Sequence, residues 1–393
     1  MTHLRTRAVH AGQKPDPVSG AIATPINQTS AFAYGTLDNG AAIFAGEADG
    51  YRYSRFANPT VKSLEDKVAD LEGAEAAVAF SSGTAAVSST VLSLLAPGDE
   101  IVFLGPLYGG TEGLFNAFGT RFGIRVVDAA ERGLEASLSP ATRLIWVETL
   151  TNPTLHLHDL ATVAALARSR GITTVADNTF CSPCLIRPLE HGIDLVMHSM
   201  TKYLGGHGDS TGGVLAGVQR LIAPIRATGL GHIGGNLAPH EAFLLLRGMK
   251  TLPLRVAAHC EGAAEVAAFL ATHPAVVATH YPGLSSHPQH ALARRQMGGG
   301  YGGIVSFELA QGTRRVAAAL LDNLKLFTQA VSLGDVDSLA CHPASTTHSF
   351  ISPDARERSG IGEGLIRLSV GIEHPQDLIA DLREALAASV AAT

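Results

Sequence analysis

From residue 58 onward, short runs of consecutive apolar residues alternate with segments whose apolar positions recur every three or four residues. The first helical segment opens at Asn58-Pro59-Thr60, where Asn58 is placed to cap it, and carries Val61, Leu64, Val68 and Leu71 on one face. Strands are predicted at Ala76–Phe80, Glu100–Leu104, Arg125–Val127, Arg143–Glu148, Thr173–Ala176, Leu195–His198 and Gly213–Ala216. Helical stretches such as Ala161–Arg168 lie between them. This alternation predicts an α/β fold with a mostly parallel central sheet and helices on both faces. Ligands on such sheets bind beyond the C-terminal ends of the strands, so the residues after each run carry the most information.

The flanking segments differ. Residues 1–57 are rich in turn formers (Lys14-Pro15-Asp16-Pro17, Asp38-Asn39-Gly40) and show little helical periodicity, which predicts an extended arm. Residues 58–253 form the large domain. A long helical stretch over Pro239–Leu270, broken partway by Pro253, leads into a smaller α+β domain over 254–393. Its strands are predicted at Gly303–Leu309 and Leu365–Val370, and its helices at Arg314–Leu321 and Asp377–Ala387.

Composition narrows the class. The 393 residues are 46% hydrophobic with a net charge of −6, and no Lys/Arg cluster provides a nucleic-acid footprint. The opening residues lack the apolar run of a signal peptide, and no later stretch is apolar long enough to span a membrane. Four cysteines do not make a disulfide framework in a chain this long, and a cytoplasmic protein with reduced thiols is expected. Cys181-Ser-Pro-Cys184 has redox or zinc spacing without a second half-site, so two packed thiols are the reading. His207, His232, His240 and His287 fall in no ligand spacing, and no metal is expected. Glycine content suggests a mobile loop over 229–238.

Five strand ends carry chemistry. Leu195–His198 runs into Ser199-Met200-Thr201-Lys202 and a glycine-rich loop. A lysine in a low-dielectric site near another positive group can be uncharged and form a Schiff base, with Ser199 and Thr201 suited to a phosphate. Thr173–Ala176 ends in Asp177, placed to pair with a pyridinium nitrogen. Ser82-Gly83-Thr84 opens a helix after Phe80, where backbone N–H groups suit an anion. Tyr108, in Leu107-Tyr108-Gly109-Gly110, is placed to stack on an aromatic ring, and Asn152 to bond its phenolic oxygen. Each alone is ordinary turn or cap chemistry. Together they describe a pocket for pyridoxal 5′-phosphate.

The chain resembles the Cys/Met-metabolism family of pyridoxal-phosphate enzymes, closest to its methionine γ-lyase and cystathionine γ-lyase members. The resemblance runs nearly end to end, through Tyr53-Ser-Arg55-Phe-Ala-Asn58-Pro59-Thr60, Ser82-Gly83, Tyr108-Gly109, Asn152-Pro153, Asp177-Asn178-Thr179 and Ser199-Met-Thr201-Lys202. It continues through His280-Tyr-Pro-Gly-Leu284, Ser332-Leu-Gly334, His342-Pro-Ala-Ser345 and Glu363-Gly-Leu-Ile-Arg367-Leu-Ser369. It implies fold-type I architecture and a homotetramer of two catalytic dimers, with Tyr53 and Arg55 given to the neighbouring subunit's cofactor phosphate. Arg367 would clamp the substrate α-carboxylate, with Ser332 in the same matched motif. Lys202 would tether the cofactor and move the α-proton, and Tyr108 would protonate the leaving sulfur.

Γ-Elimination on a sulfur amino acid is the implied reaction, with methionine giving methanethiol, 2-oxobutanoate and ammonia as the first choice. Cystathionine γ-lyase is an alternative, as is γ-replacement by an O-acetyl- or O-succinylhomoserine sulfhydrylase or a cystathionine γ-synthase. Val331 stands where cystathionine-processing members usually place a glutamate, and an apolar residue fits a short thioether. Gly110 and Gly231-His232 depart from the methionine γ-lyase pattern, which has a cysteine and a Lys-Asp pair there.

Overall fold

The computed structural model describes residues 2–349 and 352–391. Seven strands form the large sheet: β1 (Ala76–Phe80), β2 (Glu100–Leu104), β3 (Arg125–Asp128), β4 (Thr142–Glu148), β5 (Thr173–Asp177), β6 (Leu195–Ser199) and β7 (Gly213–Gly217). Their order is β1-β7-β6-β5-β4-β2-β3. Only β7 runs against its neighbours, so the other six strands point the same way and end on one edge. Except in the edge strand β3, their side chains are largely buried on both faces, which explains why they read as unbroken apolar runs rather than alternating ones. Each strand lies within one residue of its predicted bounds at either end.

The second sheet has five strands: β8 (Val276–His280), β9 (Ile304–Leu309), β10 (Thr328–Gln329), β11 (Leu339–Cys341) and β12 (Leu365–Ser369), in the order β10-β11-β12-β9-β8. It packs on helices Leu252–Leu270, Arg314–Asp322 and Pro375–Ala391 around a separate apolar cluster that includes Phe307, Leu320, Leu368 and Leu382. The predicted long helix is two, Pro239–Met249 and Leu252–Leu270, with Pro253 in the first turn of the second. Proline is tolerated there because that N–H has no intrahelical partner.

The N-terminal segment departs from the extended arm expected of it. It contains α1 (Leu4–His10) and α2 (Leu37–Ala45). The Thr36 hydroxyl caps α2 by accepting the Asn39 N–H at 3.2 Å, Asp38 sits in the first turn, and Gly46 ends the helix at φ +76°. A side-chain cap and a favourable dipole charge thus turn the Asp38-Asn39-Gly40 turn signal into a helix start. α1 lies on α3 (Pro59–Glu72), where the buried Lys67 Nζ donates to the Ala8 carbonyl at 2.7 Å. Asn58 caps α3 as expected, accepting the Thr60 N–H at 2.9 Å.

Candidate active site

The C-terminal edge of the large sheet and one face of the small sheet enclose a cavity of about 800 Å³. Ser82, Gly83, Thr84, Tyr108, Gly110, Asn152, Asp177, Ser199, Thr201, Lys202, Val331 and Arg367 all line it. Ser332 reaches it through its hydroxyl, which accepts from Lys202 Nζ at 3.0 Å. Of the residues expected at the site, Tyr53 and Arg55 lie away from this cavity. Tyr53 is exposed, and Arg55 donates to the Gly231 carbonyl and stacks over Phe56 at 4.3 Å.

The floor is built from strand ends in sheet order. α4 (Gly83–Leu94) follows β1, and the Ser82 hydroxyl caps it by accepting the Ala85 N–H at 3.0 Å. A cap of this kind contributes about 1 kcal/mol. The N–H groups of its first turn remain at the cavity, at the positive end of the helix dipole. β7 approaches this loop closely enough that a Cβ on Gly213 would collide with the Ser82 carbonyl oxygen and lie 2.7 Å from Gly83 N. A Cβ on Gly83 would lie 3.1 Å from Ser199 Cβ. Small residues therefore let three strand ends converge on one anion-sized cradle.

Electrostatics at the floor favour specific protonation states. The Lys202 amine is held below its ordinary pKa, first by burial and then by the charge of Arg367, with Asp335 opposing. Burial raises Asp177, while the Thr179 N–H and hydroxyl and the charge of His198 act the other way. Glu148, paired in register with Asp177, is raised well above the usual carboxylate range by burial and by Asp177 itself. His198, fully buried behind them, bonds Glu72 Oε1 through Nε2 at 2.6 Å.

Arg367 enters from β12. Its Nη1 donates to Asn152 Oδ1 at 2.8 Å, and its Nη2 donates to the Val331 and Ser332 carbonyls at 3.2 and 3.1 Å. Its buried Nε finds no acceptor among the described residues. A buried guanidinium N–H without a partner is costly unless a ligand oxygen completes it. Asn152 thus serves Arg367 through its side-chain oxygen, which does not use the amide NH2 that a bond to the cofactor phenol would need. Tyr108 stands at the N-cap position of α5 (Gly109–Phe122) without a side-chain capping bond and is half exposed; a Cβ on Gly110 would lie 2.5 Å from its Cε1.

Several lining residues were not singled out from the sequence. Glu148, Thr179, Thr346 and Thr347 all face the cavity. Glu148 and Thr179 sit at strand ends that had been read for other residues. Thr346 and Thr347 arrive from a distant loop whose path no local pattern predicts. The 229–238 stretch, expected to be a mobile loop, begins instead with a π-helical turn over Ala227–Ile233. Gly229 there is buried so tightly that a Cβ would lie 2.6 Å from both Phe80 Cε1 and Ser89 Oγ. Cys181 and Cys184 are free thiols whose pKa burial pushes up to about 12, as packed thiols should be.

The residues gathered here fit pyridoxal 5′-phosphate: a lysine of lowered pKa, a buried carboxyl in no salt bridge among the described residues, a glycine-lined helix start and a guanidinium with a free Nε. The chain belongs to the Cys/Met metabolism PLP-dependent enzyme family, whose model matches residues 5–387. It is therefore a fold-type I enzyme that uses pyridoxal 5′-phosphate. Over 388 residues it is 50% identical to the L-methionine gamma-lyase of Pseudomonas putida, covering 98% of this chain and 97% of that one. The L-methionine gamma-lyase of Pseudomonas deceptionensis is 47% identical over 388 residues, with the same coverage. The cystathionine beta-lyase of Coxiella burnetii is 44% identical over 393 residues, 98% of each chain. Among the described residues, no helix is long and apolar enough to cross a membrane.

Proposed function

We propose that the protein catalyses γ-elimination on L-methionine, releasing methanethiol, 2-oxobutanoate and ammonia with uptake of one water. The observation that carries this reading is Arg367, whose buried Nε has no acceptor among the described residues and which lines one cavity with Lys202. The methionine gamma-lyases among the relatives support the choice of substrate. So does Val331, an apolar wall suited to a short thioether rather than to a second charged amino-acid head.

When bound, pyridoxal 5′-phosphate supplies an aldehyde that captures amines and a conjugated ring that accepts the electrons left at Cα. The protein's residues do the rest. Lys202 would hold the cofactor through Nζ, and its amine would move the protons at the substrate's α- and β-carbons. Its lowered pKa keeps that amine available as a base. Arg367 holds the α-carboxylate through Nε and a neighbouring N–H, a geometry that lysine cannot reproduce. Asp177 would keep the pyridine nitrogen protonated, and a cation there would oppose the burial that raises its pKa. Ser82, Gly83, Thr84, Ser199 and Thr201 hold the phosphate. Tyr108 stacks on the ring and gives its phenolic proton to the leaving sulfur.

Tyr53 and Arg55 act in the neighbouring subunit's cavity, in a homotetramer of two catalytic dimers. Supporting this, residues 1–57 leave Val18, Ile22, Leu37 and Phe44 exposed, a surface that a second copy of the chain would cover. Residues 58–253 and 254–393 form the large and small domains, and the protein works in the cytoplasm.

Gly110, which departs from the methionine γ-lyase pattern, favours a second reading in which a thiol nucleophile enters for γ-replacement. Incubating the holoenzyme with methionine, cystathionine, homocysteine and O-acetylhomoserine, with and without sulfide, separates the two. Release of 2-oxobutanoate from methionine supports the proposal, and its absence rejects it.

A further inference from the structure

Glu148 is the last residue of β4, is 4% exposed, and faces the cavity. Its two carboxylate oxygens accept backbone N–H groups from two different loops. Oε1 takes the N–H of Tyr108 at 2.5 Å, and Oε2 takes that of Asn152 at 3.3 Å. Asn152 in turn holds Arg367 Nη1 at 2.8 Å. One carboxylate thus joins the loop that carries the proton donor to the side chain that orients the carboxylate clamp.

Resting on the roles proposed for Tyr108 and Arg367, we propose that Glu148 is the positioning residue that fixes the span between them. A substrate held by its α-carboxylate at one end and protonated on sulfur at the other requires that span to be constant, because misplacement of about 1 Å can cost on the order of 100-fold in rate. Glu148 is well placed to impose it. No hydrogen bond to another residue fixes the Tyr108 phenol among the described residues, so the backbone anchor at its N–H sets where the ring starts.

A purely structural role explains less. A second buried carboxyl directly beside Asp177 is electrostatically unfavourable, and burial and Asp177 together push Glu148 well above its ordinary pKa. Glutamine would avoid that cost, but its amide offers one acceptor and one donor, whereas two N–H donors converge on this group. The geometry calls for a carboxylate despite the expense of keeping one there.

The test uses the holoenzymes of wild type, Glu148→Gln, Tyr108→Phe and the double variant. Methionine kinetics per bound cofactor are measured together with the dissociation constant of glycine, a non-reacting amino acid followed by its perturbation of the cofactor's visible band. Glu148→Gln should lower kcat roughly 10- to 100-fold and weaken glycine about three- to tenfold, since one of the two N–H groups loses its acceptor and its loop is released. In the Tyr108→Phe background its effect on kcat should largely vanish, because both changes act on one proton transfer.

If Glu148→Gln alters only melting temperature and cofactor content, leaving kcat per cofactor and glycine affinity at wild-type values, the inference is overturned. Additive kcat losses in the double variant overturn it as well. If Tyr108→Phe alone leaves kcat unchanged, the fault lies with the role given to Tyr108, not with Glu148. Should Glu148→Gln not fold, Glu148→Asp carries the same test, because it keeps the charge but withdraws it by one methylene from both N–H groups.

Discussion

Arg367 and Asn152 lie 215 residues apart in sequence, yet the guanidinium Nη1 donates to the amide oxygen across 2.8 Å. The pair joins the small sheet to a loop of the large one and leaves Arg367 Nε buried and open. Replacing Arg367 by lysine keeps the charge and removes the fork. KM for methionine should rise roughly 10- to 100-fold, with a smaller change in kcat, and glycine binding should weaken in parallel. Steady-state kinetics and a spectroscopic titration check both.

Lys202 carries two separate expectations. Lys202→Ala should lower turnover by roughly 100- to 10 000-fold, the range for a lost general base. The second concerns stability without cofactor. Because the folded-state pKa of Lys202 is lowered, the buried ammonium form opposes folding below that pKa, and the penalty disappears as pH rises through it towards the ordinary 10.5. Apo Lys202→Ala should therefore melt no lower than the apo wild type near neutral pH. A lower melting temperature would contradict the burial argument.

Gly110 sets the resting place of Tyr108. A Cβ there would lie 2.5 Å from Tyr108 Cε1 and 3.1 Å from Cζ, so Gly110→Ala must displace the ring. The expected outcome is a fall in kcat of about tenfold or more with little change in KM, since the carboxylate clamp is untouched. Kinetics on methionine test it directly.

Buried histidines give acid sensitivity. His259, His287 and His348 are each pushed down to about 4 from 6.5, in every case chiefly by burial. With folded-state pKa values below the unfolded ones, the unfolded chain binds more protons between those limits. Their contribution is fully present above 6.5 and is lost as pH falls towards 4. The raised carboxyls Glu65 and Glu148 act oppositely, so the histidine part is read by difference. Melting temperature should fall less steeply across this window in His259→Asn than in wild type, whatever its value near neutrality.

Much of the fold and site was legible because strands buried on both faces read as plain apolar runs, and in such sheets the chemistry follows their ends. Lys202, Asp177, Ser82 and Tyr108 come from that rule alone. α1 and α2 were not legible, because one depends on packing against α3 and the other on a threonine cap overriding a turn signal. Glu148 carried no visible role because its partners are backbone N–H groups, which sequence patterns do not display. The pairing of Asn152 with Arg367 requires the two sheets to meet, and no local pattern encodes that.

The most direct measurement compares kcat/KM for 2-oxobutanoate release from methionine with kcat/KM for homocysteine formation from O-acetylhomoserine and sulfide, in one preparation of holoenzyme. Methionine elimination should be the faster process, releasing methanethiol and 2-oxobutanoate in equal amounts. Efficient homocysteine formation with no oxo-acid from methionine would contradict it, and would assign the same residues to γ-replacement.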